Sequence, residues 1–233
     1  MKRKIIFFMV LAMLAPVILS AQVDRVGDLA TKHNDFSISA FFPNMSPVNN
    51  YVSQHYGSFG DNLWLFNYSQ KNQVDEKTFW GLKFSTTLTG LSVLDPNFLK
   101  RDISLGSSNK AELSVTMVQF TTEYQLFKFG PLSVDAGFGM GIGGARLTLI
   151  GGENSCRFWC VSSLLSPQVN IQYHLFEGSG MGAILWFNTS YYYMPPGDWN
   201  ADGGSPNIVR PELFNLSGLV LEVGVSFPFA ATN

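Results

Sequence analysis

From Leu132 to Gly143 the chain places an apolar side chain at every second position. Leu132, Val134, Ala136, Phe138, Met140 and Ile142 share one side, and Ser133, Asp135, Gly137, Gly139, Gly141 and Gly143 the other. A period of two is the signature of a half-buried β-strand, because successive side chains leave an extended backbone on opposite faces. The same alternation sets Val169, Ile171, Tyr173 and Leu175 against Gln168, Asn170, Gln172 and His174. Near the C-terminus it sets Leu219, Leu221, Val223, Val225, Phe227 and Phe229 against Glu222, Gly224 and Ser226. The pattern also disposes of a formal motif match. Gly139 to Gly144 reads GMGIGG, the letters of a dinucleotide-binding loop, but β-type residues follow where the phosphate-receiving helix would have to begin.

Eight strands are expected, over residues 34–42, 60–70, 77–90, 111–127, 131–149, 161–176, 181–194 and 213–229. The connections alternate between long and short, which is what an antiparallel meander with all its long loops at one end produces. Outer-membrane barrels show this asymmetry, with short periplasmic turns and longer outer loops. The face chemistry chooses between a membrane barrel and a soluble carrier of lipocalin type. Only 14% of the residues are charged, while 20 are Phe and five are Trp. The polar face carries Gly, Ser, Thr, Asn and Gln rather than the Lys and Glu that a water-facing surface needs. Those residues suit a narrow interior, which eight strands leave just wide enough for side chains to fill. The apolar face then meets lipid, and closure satisfies every backbone amide there.

The N-terminus fits this placement. Residues 1–21 have the layout of a secretory signal peptide: basic Met1–Lys4, an apolar run from Ile5 to Ile18 broken by Pro16, then small Ser20-Ala21 before Gln22. The expected organisation is therefore a signal peptide over 1–21 and a single barrel over 22–233. The residue after the expected cleavage point is not cysteine, so lipoprotein attachment has no thiol to use. Removing Lys2, Arg3 and Lys4 takes the formal charge from -2 to -5, which argues against nucleic acid as a partner.

In strand pattern and loop alternation the mature chain resembles the small eight-stranded outer-membrane barrels of the OmpA/OmpX type. That resemblance implies an exported, non-enzymatic, up-and-down β-barrel of the cell outer membrane. Its implied partners are the membrane lipid, the barrel-insertion machinery, and an unidentified extracellular ligand or envelope protein reached by four outer loops. The last strand departs from the usual pattern, since Phe229 is followed by Ala230-Ala231-Thr232-Asn233. An accessory barrel of a secretion or assembly machine, a lipid-modifying enzyme and a soluble carrier are the other readings. For an enzyme, His55 with Ser53, Ser58 and Asp61 is the one external grouping, and its spacing matches no nucleophile motif.

Several side chains are expected to matter. Lys83, Glu123, Asp135, Arg146, His174 and Glu222 should form a polar cluster in the lumen, with Glu123 directly opposite Asp135 and Lys83 bridging the two carboxylates. Arg146 points inward only if a β-bulge at Gly143-Gly144 resets the strand phase, which would also return Leu147 and Leu149 to lipid. Cys156 and Cys160, in an exported chain and an outer loop, are expected to form a disulfide. No cofactor is implied. Asp198, Asn200 and Asp202 match the first half of a calcium loop, but Val209 stands where the bidentate Glu belongs and Glu212 follows three residues later. Ser46-Pro47 through Gly57 should hold a short helix capped by Ser46. The alternate glycines should leave space that Trp186 and Gln172 cross.

Overall fold

The computed structural model describes residues 31–53, 56–88, 103–105, 109–151, 154–176, 182–202, 211 and 215–230. The expected signal peptide, His55 and Glu212 lie outside them. Eight long strands form the wall: β1 (Thr31–Pro43), β2 (Leu63–Gln73), β3 (Thr78–Thr87), β5 (Asn109–Phe129), β6 (Leu132–Gly151), β7 (Asn154–Phe176), β8 (Ala183–Tyr192) and β10 (Gly218–Ala230). Each pairs antiparallel with its predecessor. β1 pairs with β10 and β3 with β5, so the sheet closes as an eight-stranded up-and-down barrel. Two three-residue strands are added at its rim, β4 (Ile103–Leu105) on β5 and β9 (Asn200–Asp202) on β7. The one helix among the described residues, α1, spans Ser46–Val52. No described helix is long and apolar enough to cross a membrane, which leaves crossing to the strands.

The wall is uneven in height. β5, β6 and β7 run 21, 20 and 23 residues, against 10 to 13 for the other barrel strands. Most of the excess is at the long-loop end, although β5 also runs five residues past the start of β3 at the short-turn end. The expected outer loop around Cys156 and Cys160 is instead a β-hairpin, paired up to Gly151 and Asn154. At the short-turn end, β5 and β6 join through Gly130, whose φ of +55° is the left-handed conformation that glycine adopts without strain.

Face chemistry varies along the barrel in a way that alternation alone concealed. Between Leu132 and Ile142 the outward side chains of β6 are apolar and the inward ones are Ser133, Asp135 and glycines. From Gly144 upward the assignment reverses: Ala145, Leu147 and Leu149 are buried inside, while Arg146 is exposed outside. The ladder is regular through Gly143 and Gly144 on both neighbours, so the expected bulge is absent and Arg146 does not enter the lumen. The backbone phase never changes; the surroundings do. At ~3.3 Å per residue and a tilt near 40°, the stretch from Leu132 to Ile142 stands about 25 Å tall, the height of a hydrocarbon belt. Below that level the wall is apolar outside and polar inside. Above it the strands are arranged as in a water-soluble domain, with an apolar core.

β5 shows the same reversal. Gln119, Thr121 and Glu123 are buried below, and Ala111, Leu113, Val115 and Met117 above. The upper core is completed by Phe41, Leu63, Leu65, Phe158, Leu164, Tyr192, Met194, Trp199, Leu216 and Val220. α1 closes it from the top with Val48 and Val52, flanked by Met45 and Phe59. Asn49 fastens this cap: its Nδ2 donates to the Phe59 carbonyl at 3.0 Å, and the Phe59 N–H donates back to its Oδ1 at 2.7 Å. The expected cap by Ser46 is absent: the N-cap residue is Met45, which makes no side-chain capping bond. Pro47 is in the first turn, but Asn44, not Ser46, supplies the side-chain acceptor, to the Ser46 N–H at 3.2 Å.

A bulge does occur, at the other end of the same hairpin. The β5–β6 register shifts between Gln125 and Phe127. The extra residue, Leu126, turns Phe127 and Phe129 onto the side of Val134 and Leu132, so both rings join the outer belt.

Candidate functional site

The polar lower interior is built from strand positions that alternate with the belt. β1 contributes Asp35, Ser37 and Ser39; β2 contributes Asn67, Ser69 and Lys71; β3 contributes Lys83 and Ser85; β10 contributes Glu222 and Ser226. Two cations organise it. Lys71 Nζ lies 3.1 Å from Asp35 Oδ2 and 2.8 Å from Glu123 Oε1, bridging β1 to β5 across the bore, and stands 5.6 Å from the centre of the Trp186 ring. Lys83 Nζ donates to Glu222 Oε2 at 2.5 Å, and the other oxygen of that carboxylate accepts Ser37 Oγ at 2.5 Å. Neutral side chains carry the network onward. Gln168 Nε2 donates to Glu123 at 3.0 Å, Asn188 to Gln168 at 3.2 Å, Ser166 to Gln119 at 2.6 Å, and Gln119 to the Tyr192 hydroxyl at 3.2 Å. That last bond joins the polar tier to the apolar one.

Of the six expected lumen residues, Lys83, Glu123, Asp135 and Glu222 are buried inside, and His174 sits at the short-turn rim, its Nε2 3.3 Å from Ser133 Oγ. Arg146 is outside, as described above. The pairing differs from expectation too. Glu123 faces Gly137 and Asp135 faces Gln125, because the turn is closed by Phe129 and Leu132 instead of residues 127 and 131, with the bulge at Leu126 moving the register back by one. Lys71 and not Lys83 meets Glu123, while Asp135 is held by Gln172. Lys71 is missing from the expected cluster because it lies one residue past the expected strand end at residue 70, whereas Asp35, inside the expected strand over 34–42, is not assigned to the lumen cluster. The signal was present in the alternation of Asp35 with Ser37 and Ser39, and of Lys71 with Ser69 and Asn67.

The glycines make room for this packing, but not for the side chains expected. A methyl group at Gly137 would meet Glu123 and Gln168, one at Gly139 would meet Gln119 and Ser166, and one at Gly143 would meet Met194. Trp186 crosses Gly224 on β10 instead, where a Cβ would lie 2.5 Å from its ring. The result is a filled bore. Two cavities lined by described residues at this level are about 10 Å³ each, room for a single water apiece.

The outer candidates change character as well. Cys156 and Cys160 are free thiols, both buried, four residues apart on one face of β7. An extended strand separates such Cα atoms by about 13 Å, beyond the ~7 Å a disulfide can span, so the expected bond is excluded by the strand itself. Asn200 and Asp202 belong to β9 and Asp198 is exposed just before it. Alternate residues on an extended chain are ~6.6 Å apart and do not converge as a calcium loop requires. Among the described residues, no group of three His, Cys, Asp or Glu side chains is placed to hold a metal.

No family model matches the sequence, and no curated protein matches it. Solved structures do. The outer-membrane protein OprG of Pseudomonas aeruginosa is 11% identical, with 87% of this chain and 97% of that chain covered at a TM-score of 0.52. Neisserial surface protein A is 10% identical over 84% of this chain and 95% of that chain, at a TM-score of 0.47. The chain has the fold of the small eight-stranded outer-membrane barrels.

Proposed function

We propose that this protein is a non-conducting outer-membrane barrel whose work is done by an ordered structure at its outer end. One observation carries the reading: the interior is filled at both levels, by a charge network in the membrane half and by an apolar core under α1 in the upper half. A pore needs a continuous wet path, and cavities that admit one water each do not supply it. The raised sheet points the same way. β5, β6 and β7, edged by β4 and β9, form a five-stranded surface above the belt, which a pure anchor would not need. Catalysis draws little support from this geometry: the two serine–histidine contacts, Ser133–His174 at 3.3 Å and Ser226–His33 at 3.1 Å, lie at the short-turn end, and the cavity beside His33 and Ser226 holds about one water. Surface recognition or an envelope-structural role is the function left to that sheet.

The test has two measurements on the full chain. Reconstituted in a planar bilayer, the protein should give no resolvable single-channel steps. On intact cells, Asp198→Cys should react with a membrane-impermeant maleimide while the native protein, whose own thiols are buried, does not. Stable conductance, or labelling only after cell lysis, would overturn the reading.

A further inference from the structure

The reversal of face chemistry marks where hydrocarbon ends, and it places two arginines just beyond that line. Arg146 on β6 stands directly across from Trp159 on β7, with Ser114 and Asn200 completing the row over four strands. Arg157 is one row higher, across from Thr148, and therefore diagonal to Arg146, a spacing of ~7–8 Å between Cβ atoms. Both guanidinium-bearing residues are exposed on the outward face, and Trp159 keeps 41% of its surface accessible. Asp202 stands directly across from Arg157, and Glu112 is diagonal to Arg146, so each arginine has one acidic neighbour on its row or the next. Below them the same face is Val161, Leu165, Met140 and Phe138, all exposed and apolar. Glu112 and Asp202 occupy the ends of the Arg157 row. The rim is therefore not a general attractor of polyanions; it favours a ligand that meets guanidinium groups and an aromatic plane together.

Resting on the reading above, we infer that this rim of β6 and β7 binds the phosphorylated sugar headgroup of a glycolipid in the surrounding leaflet. Arg146 and Arg157 take the phosphate, because a planar guanidinium matches phosphate oxygens in bidentate geometry. Trp159 offers a flat apolar surface to the C–H face of the sugar ring. The lipid chains continue down the apolar belt immediately below, which a free phosphosugar in solution would leave uncovered. Position commits the site to a membrane lipid: it lies on the outside of the wall, its lower arginine about 10 Å above Ile142 at the same rise and tilt, at headgroup height, and not in the mouth of the barrel.

The experiment uses the full chain in detergent, with diphosphoryl lipid A as probe and affinity read by native mass spectrometry or fluorescence titration. The double variant Arg146→Gln/Arg157→Gln should lose at least tenfold in affinity, and Trp159→Ala should lose severalfold. Lys128→Gln removes one positive charge at the opposite rim and should leave binding unchanged. All variants should keep heat-modifiable gel migration, which shows that the barrel has folded. Undiminished binding by the double variant, an equal loss in Lys128→Gln, or full displacement by inorganic phosphate at the probe's concentration would each overturn the site. Cell-surface labelling of Asp198→Cys is independent of these results. Its failure would remove the outer-end reading, whereas its success with unchanged lipid affinity would remove only the glycolipid site.

Discussion

Lys71 illustrates how a single side chain acts in a bore this narrow. Its ammonium group answers two carboxylates from different strands, and the cavities beside them admit only about one water each. Removing one member of such an arrangement leaves buried charge uncompensated, which costs about 3–5 kcal/mol. Lys71→Met should therefore lower the free energy of unfolding measured by urea titration by that order, with a matching fall in midpoint. Adding Asp35→Asn and Glu123→Gln, which removes the stranded charges, should recover most of the loss. A Lys71→Met protein as stable as the parent would show that the network contributes no net stability. Asp35 and Glu222 are as deeply placed as the upper-tier leucines, which is tolerable only because each has a cation and a hydroxyl donor within reach.

The β5–β6 hairpin is one of the two longest pairings in the wall and sets the phase of both tiers. Its bulge at Leu126 and its regular passage through Gly143-Gly144 are both testable by deletion. Taking out Leu126 removes the unpaired residue while Gln125 and Phe127 keep their partners, so the barrel should still assemble and migrate in heat-modifiable form. Taking out Gly144 shifts every later residue of β6 by one. Leu147 and Leu149 would then swing to water, at about 1.5–3 kcal/mol for each leucine withdrawn from the core, and Arg146 would swing inward. That variant should fail to give the folded band. If the two deletions behaved alike, the upper core would not be specified by strand phase.

For the whole molecule, the two-tier interior means that one wall is stabilised against two solvents. The membrane half follows the inside-out rule of barrels, and the upper half follows the rule of soluble proteins. Cys156 and Cys160 report on the upper half, which stands outside the membrane. Burial pushes the Cys160 thiol up to about 11 and raises that of Cys156 as well. At pH 8 only roughly one Cys160 in a thousand is the reactive thiolate, and access is blocked besides. The folded protein should resist alkylation at that pH. Denaturation without reductant should expose two thiols, where a disulfide would expose none until reduced. Rapid labelling of the folded form would show that α1 and Asn49 do not hold the cap closed.

Strand number, antiparallel order, closure and the lipid-facing belt were all legible in the sequence, because the alternation of period two is local and each strand repeats it. The reach of β7 beyond its expected start at residue 161, the free cysteines and the position of the bulge were not. Each depends on pairing with β6, which no single segment encodes. The change of phase above Ile142 was visible as a pattern, but a sequence cannot say whether the backbone shifts or the solvent does. Only the ladder decides, since a regular register obliges Leu147 to point inward and Arg146 outward. The salt-bridge partners were settled in the same way: Lys71, Asp35 and Glu123 come from three strands, and strand register together with the curvature of the wall brings both carboxylates within 3.1 Å of the Lys71 ammonium group.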